Sequence, residues 1–265
     1  MTQTIERGEA NIITLMALGV LAYVSETLLH EAVGHGTLCL LGGGKITLLA
    51  PLYMRCSAVT LAMVVAGPCA NLLGGLICLL ALQFKRSEPA RSFDYFLWLF
   101  FIFNWLVAAG YLLVGAATGF GDWSVAFAGV KPDWMWRAPA FTAALLFYLF
   151  TLKLASRSFA RLTGFSGQNK GGLARLALLP TAAASIIALG AEVYGQGAKP
   201  LGLALAFGCT FFIGLTLLSM DGAGVPAIGE SKLRIGFNVP VLVLALLAAA
   251  GFILIVGPGV ALTAI

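Results

Sequence analysis

The chain has 265 residues, of which 60% are hydrophobic and 10% charged, whereas a soluble domain carries about a quarter charged residues. So few polar side chains cannot cover a water-facing surface, and the composition predicts an integral membrane protein. The formal charge of +5 is not a nucleic-acid signal, because the basic residues stand between apolar runs, where loops of membrane proteins collect them.

A bilayer core of about 30 Å takes roughly 20 apolar residues in a helix, and on that measure about seven segments are predicted. In chain order they run from Asn11 to Leu41, Ala58 to Phe84, Tyr95 to Thr118, Ala138 to Ala155 (a short one), Leu176 to Ala191, Leu201 to Met220, and Val239 to about Ile265 with Pro258 inside its end. The first is about 30 residues, some 45 Å as straight helix, too long for one clean crossing, so its second half is expected in protein or a wet cavity. Three glycines, Gly42 to Gly44, then break the helix. Non-helical backbone at membrane depth needs protein or a cavity around it, so the region Gly43 to Arg55 is expected to be a re-entrant or interfacial loop. The predicted fold is an all-α polytopic membrane protein with a short re-entrant, β-like loop after the first helix. The basic, glycine-rich loop Ser156 to Arg175 is expected at the interface against anionic lipid.

Loop charge sets the expected orientation. The loops after segments two, four and six carry Lys85, Arg86, Arg91, Lys153, Arg157, Arg161, Lys170, Arg175, Lys232 and Arg234. The others carry Lys45, Arg55, Lys131, Arg137 and Lys199. Ten against five puts the first set and the N-terminus in the cytoplasm, and a bacterial inner membrane is the expected location. The N-terminus, M-T-Q-T-I-E-R-G-E-A, is not a good basic n-region and no clear small-residue cleavage site follows the apolar stretch, so the first run is read as a retained span. Cys39, Cys56, Cys69, Cys78 and Cys209 are scattered, and neither a disulfide framework nor a zinc-finger pattern is predicted from them.

The chemistry concentrates in S-E-T-L-L-H-E-A-V-G-H-G, Ser25 to Gly36, which holds both histidines of the chain. A lone buried histidine is usually a satisfied hydrogen bonder in a core. Here His30, Glu31 and His35 fall within six residues, with Glu26 one turn before His30, and ionisable residues inside spans mark functional sites. In H-E-x-x-H helices two histidines one turn apart bind zinc and the glutamate is the general base. This string, H-E-A-V-G-H, is one residue longer. At about 100° per residue, positions five apart differ by about 140° around an α-helix, which would separate the rings. A π-type turn restores a common face, and Gly34 makes such a distortion cheap. A locally wide turn is therefore predicted. Cys39, one turn past His35, and Glu26 are possible further ligands, although Glu26 reads better as a partner that orients the ligands.

H-E-A-V-G-H-G resembles the H-E-x-x-x-H zinc motif of the gyrase-modulator metallopeptidases, a precedent for five-residue spacing. The chain from about Ala22 to Trp123 is similar to the site-2 proteases, zinc metalloproteases embedded in the membrane. The likeness lies in an early zinc helix, a following β-like loop over Gly42 to Arg55, and A-G-P-C-A-N-L-L-G-G, Ala66 to Gly75, against a family pattern A-G-P-x-x-N-x-x-x-G. It implies Zn2+ held by His30, His35 and a third, aspartate ligand, with Glu31 as the catalytic base. It also implies an Asn71 near the site that holds substrate or the developing oxyanion; an interhelical hydrogen bond beside Gly67 and Gly74 is the other reading of Asn71. The family's N-x-x-P element is missing before G-F-G-D-W.

Asp122 and Asp221 compete as the aspartate. Segments one and three run the same way, so Asp122 ends on the side of His35, while segment six runs oppositely; Asp122 is preferred. Residues 1–135 form the expected metallopeptidase-like core, and 136–265 a scaffold or gate. The leading reading is a membrane zinc metallopeptidase cleaving a peptide bond in or near the bilayer. Its substrate is unwound and paired by strand addition along Lys45 to Leu49. The alternative is a catalytically inactive, peptidase-like subunit that binds other membrane proteins. The expected partners are membrane lipid and a transmembrane substrate or partner subunit, with no nucleic acid. A transporter would need an ionisable pathway through several spans, which the sequence lacks.

Overall fold

The computed structural model describes residues 10–84, 91–163, 170–197 and 233–261, plus positions 199 and 204. It is mostly helical, and among the described residues six helices are long and apolar enough to cross a membrane. The chain therefore reads as a multi-pass membrane protein. The segment Leu201 to Met220 lies outside the described residues.

The first helical run is continuous from Ile12 to Leu41. Asn11 starts α1 (Ile12–Leu28) by accepting from the Thr14 backbone N–H at 3.1 Å. A π-helical turn, Leu29–His35, follows, and α2 (Gly36–Leu41) completes the run. Beyond the glycine break the loop is a hairpin. β1 (Ile46–Ala50) pairs antiparallel with β2 (Tyr53–Cys56), with a bulge at Thr47. The segment expected to be a re-entrant or interfacial loop thus carries a second strand beyond the single extended stretch expected.

Cys39 on α2 is disulfide-bonded to Cys56 on β2, with Cα atoms 6.0 Å apart. This corrects two expectations: that no disulfide forms, and that Cys39 is free to be a ligand. The spacing carried no motif; the glycine break folds the hairpin back over α2 and brings the thiols together.

α3 (Leu61–Gln83) is capped by the Thr60 hydroxyl, which accepts from Met63 N at 3.2 Å. α4 (Ser92–Thr118) ends on Gly119 in the left-handed region, and a short α5 (Asp122–Ala126) follows Gly121, also at positive φ. α6 (Trp134–Thr163) is much longer than the short segment expected. Ser156 and Ser158 turn their hydroxyls back to the Leu152 and Leu154 carbonyls, and no glycine or proline stands between Pro139 and Gly164. α7 (Lys170–Gln196) likewise begins early, so most of the predicted loop Ser156 to Arg175 is helix. The last span, α8 (Val239–Gly251) with a second π-helical turn (Phe252–Val256), stops short of Ile265. Gly257, Pro258 and Gly259 end it, because neither residue type continues a helix readily.

Small residues and displaced carbonyls hold the bundle together, as lipid leaves no hydrophobic force between helices. A Cβ at Gly19 on α1 would collide with the Pro180 backbone of α7. Pro180 has no N–H for the Leu176 carbonyl four residues earlier, and the buried Tyr95 hydroxyl of α4 donates to that carbonyl instead. Trp105 of α4 lies against Gly75 of α3 and donates its indole N–H to Leu72 O at 2.9 Å. α1 and α4 are the most enclosed spans, while α6 and α8 face outward.

A 17-residue separation between bridged cysteines is worth about 3 kcal/mol when closed. Cys56→Ser is therefore expected to lower the melting temperature in detergent by several degrees. Reduction should add two maleimide-reactive thiols to the wild type and none to Cys56→Ser, in which Cys39 is already free, read by mass spectrometry.

Candidate metal centre

The π-helical turn gives the two histidines one face. His30 Nε2 and His35 Nε2 lie 3.2 Å apart, with rings edge-on at a centroid distance of 4.9 Å. Asp122 Oδ2, carried in from the far end of α4, is 3.2 Å from His30 Nε2 and 3.5 Å from His35 Nε2. These three ligand atoms lie within 4.8 Å of one another, both histidines are buried, and the group could hold a metal ion. Asp122 begins α5 and Gly121 caps it, so the carboxylate turns to the histidines and does not cap its own helix. Asp221 lies outside the described residues.

α3 gives His35 its hydrogen bond and both rings their room. Met63 O, in the first turn of α3, sits 2.8 Å from His35 Nδ1. A carbonyl only accepts, so Nδ1 carries a proton in either state: in the neutral ring the Nε2 lone pair faces His30 and Asp122, and in the protonated ring Nε2 donates to Asp122 instead. Gly67 makes room for both rings: a Cβ there would clash with His35 Nε2 and stand 2.6 Å from His30 Nε2. Gly34 on the π turn meets the same stretch of α3, where a Cβ would come within 2.7 Å of Gly67 Cα. The A-G-P segment is thus the floor of the site.

Asn71, one turn further along α3, is fully buried and donates from Nδ2 to Glu26 Oε1 at 2.9 Å. Its side chain also lies beside His30. His30 Nδ1 and Asn71 Oδ1 are both buried with no hydrogen-bond partner among the described residues. Asn71 thus stands between the Glu26 carboxylate and His30 with its bond to Glu26 made; a carboxylate linked through a neighbour to an imidazole is the usual means of orienting a ligating ring. Glu31, beside His30 on the π turn, is buried, and its Oε2 has no partner among the described residues. Burial by itself would raise the Asp122 carboxyl, but hydrogen bonds from the two histidines and their charge hold it well below the usual carboxylate range.

Sequence reasoning missed three parts of this arrangement. Tyr111 of α4 lies against His30 with ring centroids 5.4 Å apart; its only signal was a polar ring in an apolar span. Met63 acts through its backbone, which no side-chain pattern reports. The clearance at Gly67 was legible only as one small residue among many.

The donor set suits a divalent cation chemically. Three lone-pair atoms converge, and a buried carboxylate oxygen beside them is unsatisfied; an ion and its water account for such an arrangement better than packing does. No family model, curated protein or solved structure matches this chain.

Adding Zn2+ to detergent-purified, chelator-treated protein is expected to raise its melting temperature. Gly67→Ala and Asp122→Ala should lose that rise, and Asn71→Ala should bind zinc about 10–100-fold more weakly by chelator competition.

Proposed function

We propose that this chain is a membrane-embedded metallopeptidase resembling the site-2 class, hydrolysing a peptide bond within or beside the bilayer. The observation that carries the reading is the meeting of His30 Nε2, His35 Nε2 and Asp122 Oδ2 beside the buried, unpartnered Oε2 of Glu31. A structural metal site has no use for an adjacent spare carboxylate, whereas hydrolysis needs a base.

In this reading His30, His35 and Asp122 would hold Zn2+, which would supply a Lewis acid for the scissile carbonyl and for the attacking water. Glu31 Oε2 takes the proton of the attacking water and delivers it to the departing amide nitrogen, as general base and then general acid. Met63 O fixes the tautomer of His35. Asn71, anchored by Glu26, orients His30, and its amide is close enough to the cluster to meet a substrate carbonyl. Burial of His30, Glu31 and His35 keeps bulk water from the proton transfers. A helical substrate hides its carbonyls in its own hydrogen bonds, so the peptide unwinds and pairs with β1.

The Cys39–Cys56 disulfide supports an orientation as well. Disulfides persist on the oxidising side of a membrane, so the hairpin and the metal face belong there, with the N-terminus in the cytoplasm. The excess of basic residues in loops on the N-terminal side points the same way.

The test uses protein in lipid nanodiscs with a panel of fluorogenic transmembrane peptides. Wild type is expected to cleave in a Zn2+-dependent way. Glu31→Gln should keep one zinc per chain and lose activity about 10²–10⁴-fold, while His35→Ala loses both. Zinc bound by wild type without cleavage of any peptide, and with the same partners retained by Glu31→Gln in pull-downs, would favour a non-catalytic binding subunit.

A further inference from the structure

A strand hydrogen-bonded on one side only leaves a row of unpaired donors and acceptors on the other, which templates pairing. β1 has β2 on one side. On its other side Leu49 N–H donates to Val260 O at 3.0 Å, and Val260 N–H donates to Leu49 O at 2.8 Å. This is the closed antiparallel pair, both bonds exchanged between two residues, and it joins positions more than 200 residues apart in the chain.

The segment that makes it is shaped for the place. The π-helical turn at Phe252–Val256 closes with Gly257 N–H on Phe252 O at 2.8 Å, and Gly259 N–H then bonds Val256 O at 2.9 Å. Gly257 is pressed on α7, where a Cβ would stand 3.0 Å from Ala191 O. Gly259 has φ +87°, and a Cβ there would come within 2.7 Å of Leu48 Cδ1. Glycine is needed at both positions, one for the approach to α7 and one for the turn onto β1. Contact with β1 is a single bridge among the described residues, so the segment is seated firmly at α7 and lightly on the strand.

The strand it touches adjoins the metal face. Ile46 of β1 lies where a Cβ on Gly36, the residue after His35, would stand 3.2 Å from its Cδ1. The Cys39–Cys56 bridge ties the hairpin to the same helix. Residues 257–260 therefore lie on the edge where an unwound peptide would pair on its way to the site.

We propose that the outer edge of β1 is a peptide-docking surface whose resident occupant is the chain's own segment 257–260, displaced when an extended polypeptide pairs there. The identity of the displacing partner rests on the peptidase reading; the occupancy of the edge does not.

The probe is a fluorescein-labelled ten-residue peptide of alternating Thr and Val with terminal lysines, its binding to the full chain in nanodiscs read by anisotropy. Val260→Pro removes the N–H that donates to Leu49, and Gly259→Ala loosens the same contact by a second route. Leu49→Cys/Val260→Cys, oxidised, locks it. Apparent affinity scales with the fraction of molecules whose edge is free, so releasing an edge open about a tenth of the time raises affinity about tenfold. Either releasing variant is expected to bind the peptide that much more tightly than wild type, and the locked pair not at all. Equal binding by wild type, released and locked forms, or binding by none, overturns the proposal. Cleavage of the transmembrane peptides separates the two readings. Binding that follows the released and locked pattern without cleavage by any form keeps the docking edge and sinks the peptidase. Cleavage unchanged by the lock keeps the peptidase and sinks the docking edge.

Discussion

Histidines five residues apart on an ordinary α-helix point about 140° away from each other, and the rest of the site depends on removing that angle. The π-helical turn does so by widening one turn of the first span, so that two Nε2 atoms meet at 3.2 Å. The wide turn is bulky and needs a neighbour that yields. Gly34 on the turn and Gly67 opposite give the two helices their approach, and that approach brings His35 to Met63 O. Substituting either glycine would act on the metal face before it acted on the bundle.

Putting this much polarity into an apolar bundle is costly, and the fold answers the cost unevenly. Glu26 and Asn71 satisfy each other, His35 has its carbonyl, and Asp122 meets both rings from a separate helix. Among the described residues, His30 Nδ1, Asn71 Oδ1 and Glu31 Oε2 around the donor set are left without partners, and so are Asn104 Oδ1, Trp123 Nε1 and Arg137 Nε. Buried polar atoms without partners are rare in native folds, and half of these six belong to residues beside or among the clustered histidines. Tyr95, buried far from there, shows the contrast: its hydroxyl is used to repair the ladder broken by Pro180.

Much of this was legible in the residues. The spans follow from apolar run length, and the wide turn from H-E-A-V-G-H with a glycine inside it. The choice of Asp122 for the third position followed from the direction of its span, and the structure brings its carboxylate to the histidines. What escaped depended on contacts between distant parts of the chain. Cys39 and Cys56 meet because a glycine break reverses the chain, which spacing alone does not reveal. The last span read as continuous apolar sequence to Ile265, yet Gly257, Pro258 and Gly259 release it to pair with β1. The helical ends of α6 and α7 were hidden by basic residues, which favour loops near a membrane but are compatible with helix.

The measurement closest to the central claim is X-ray absorption at the zinc edge on the zinc-loaded, detergent-purified chain. The account predicts two imidazoles and oxygen donors at about 2.0–2.2 Å, with no sulfur at about 2.3 Å, and one imidazole fewer in His35→Ala. A spectrum showing a single imidazole, unchanged by that substitution, or one dominated by sulfur, would mean that the π turn does not assemble a shared site from His30 and His35.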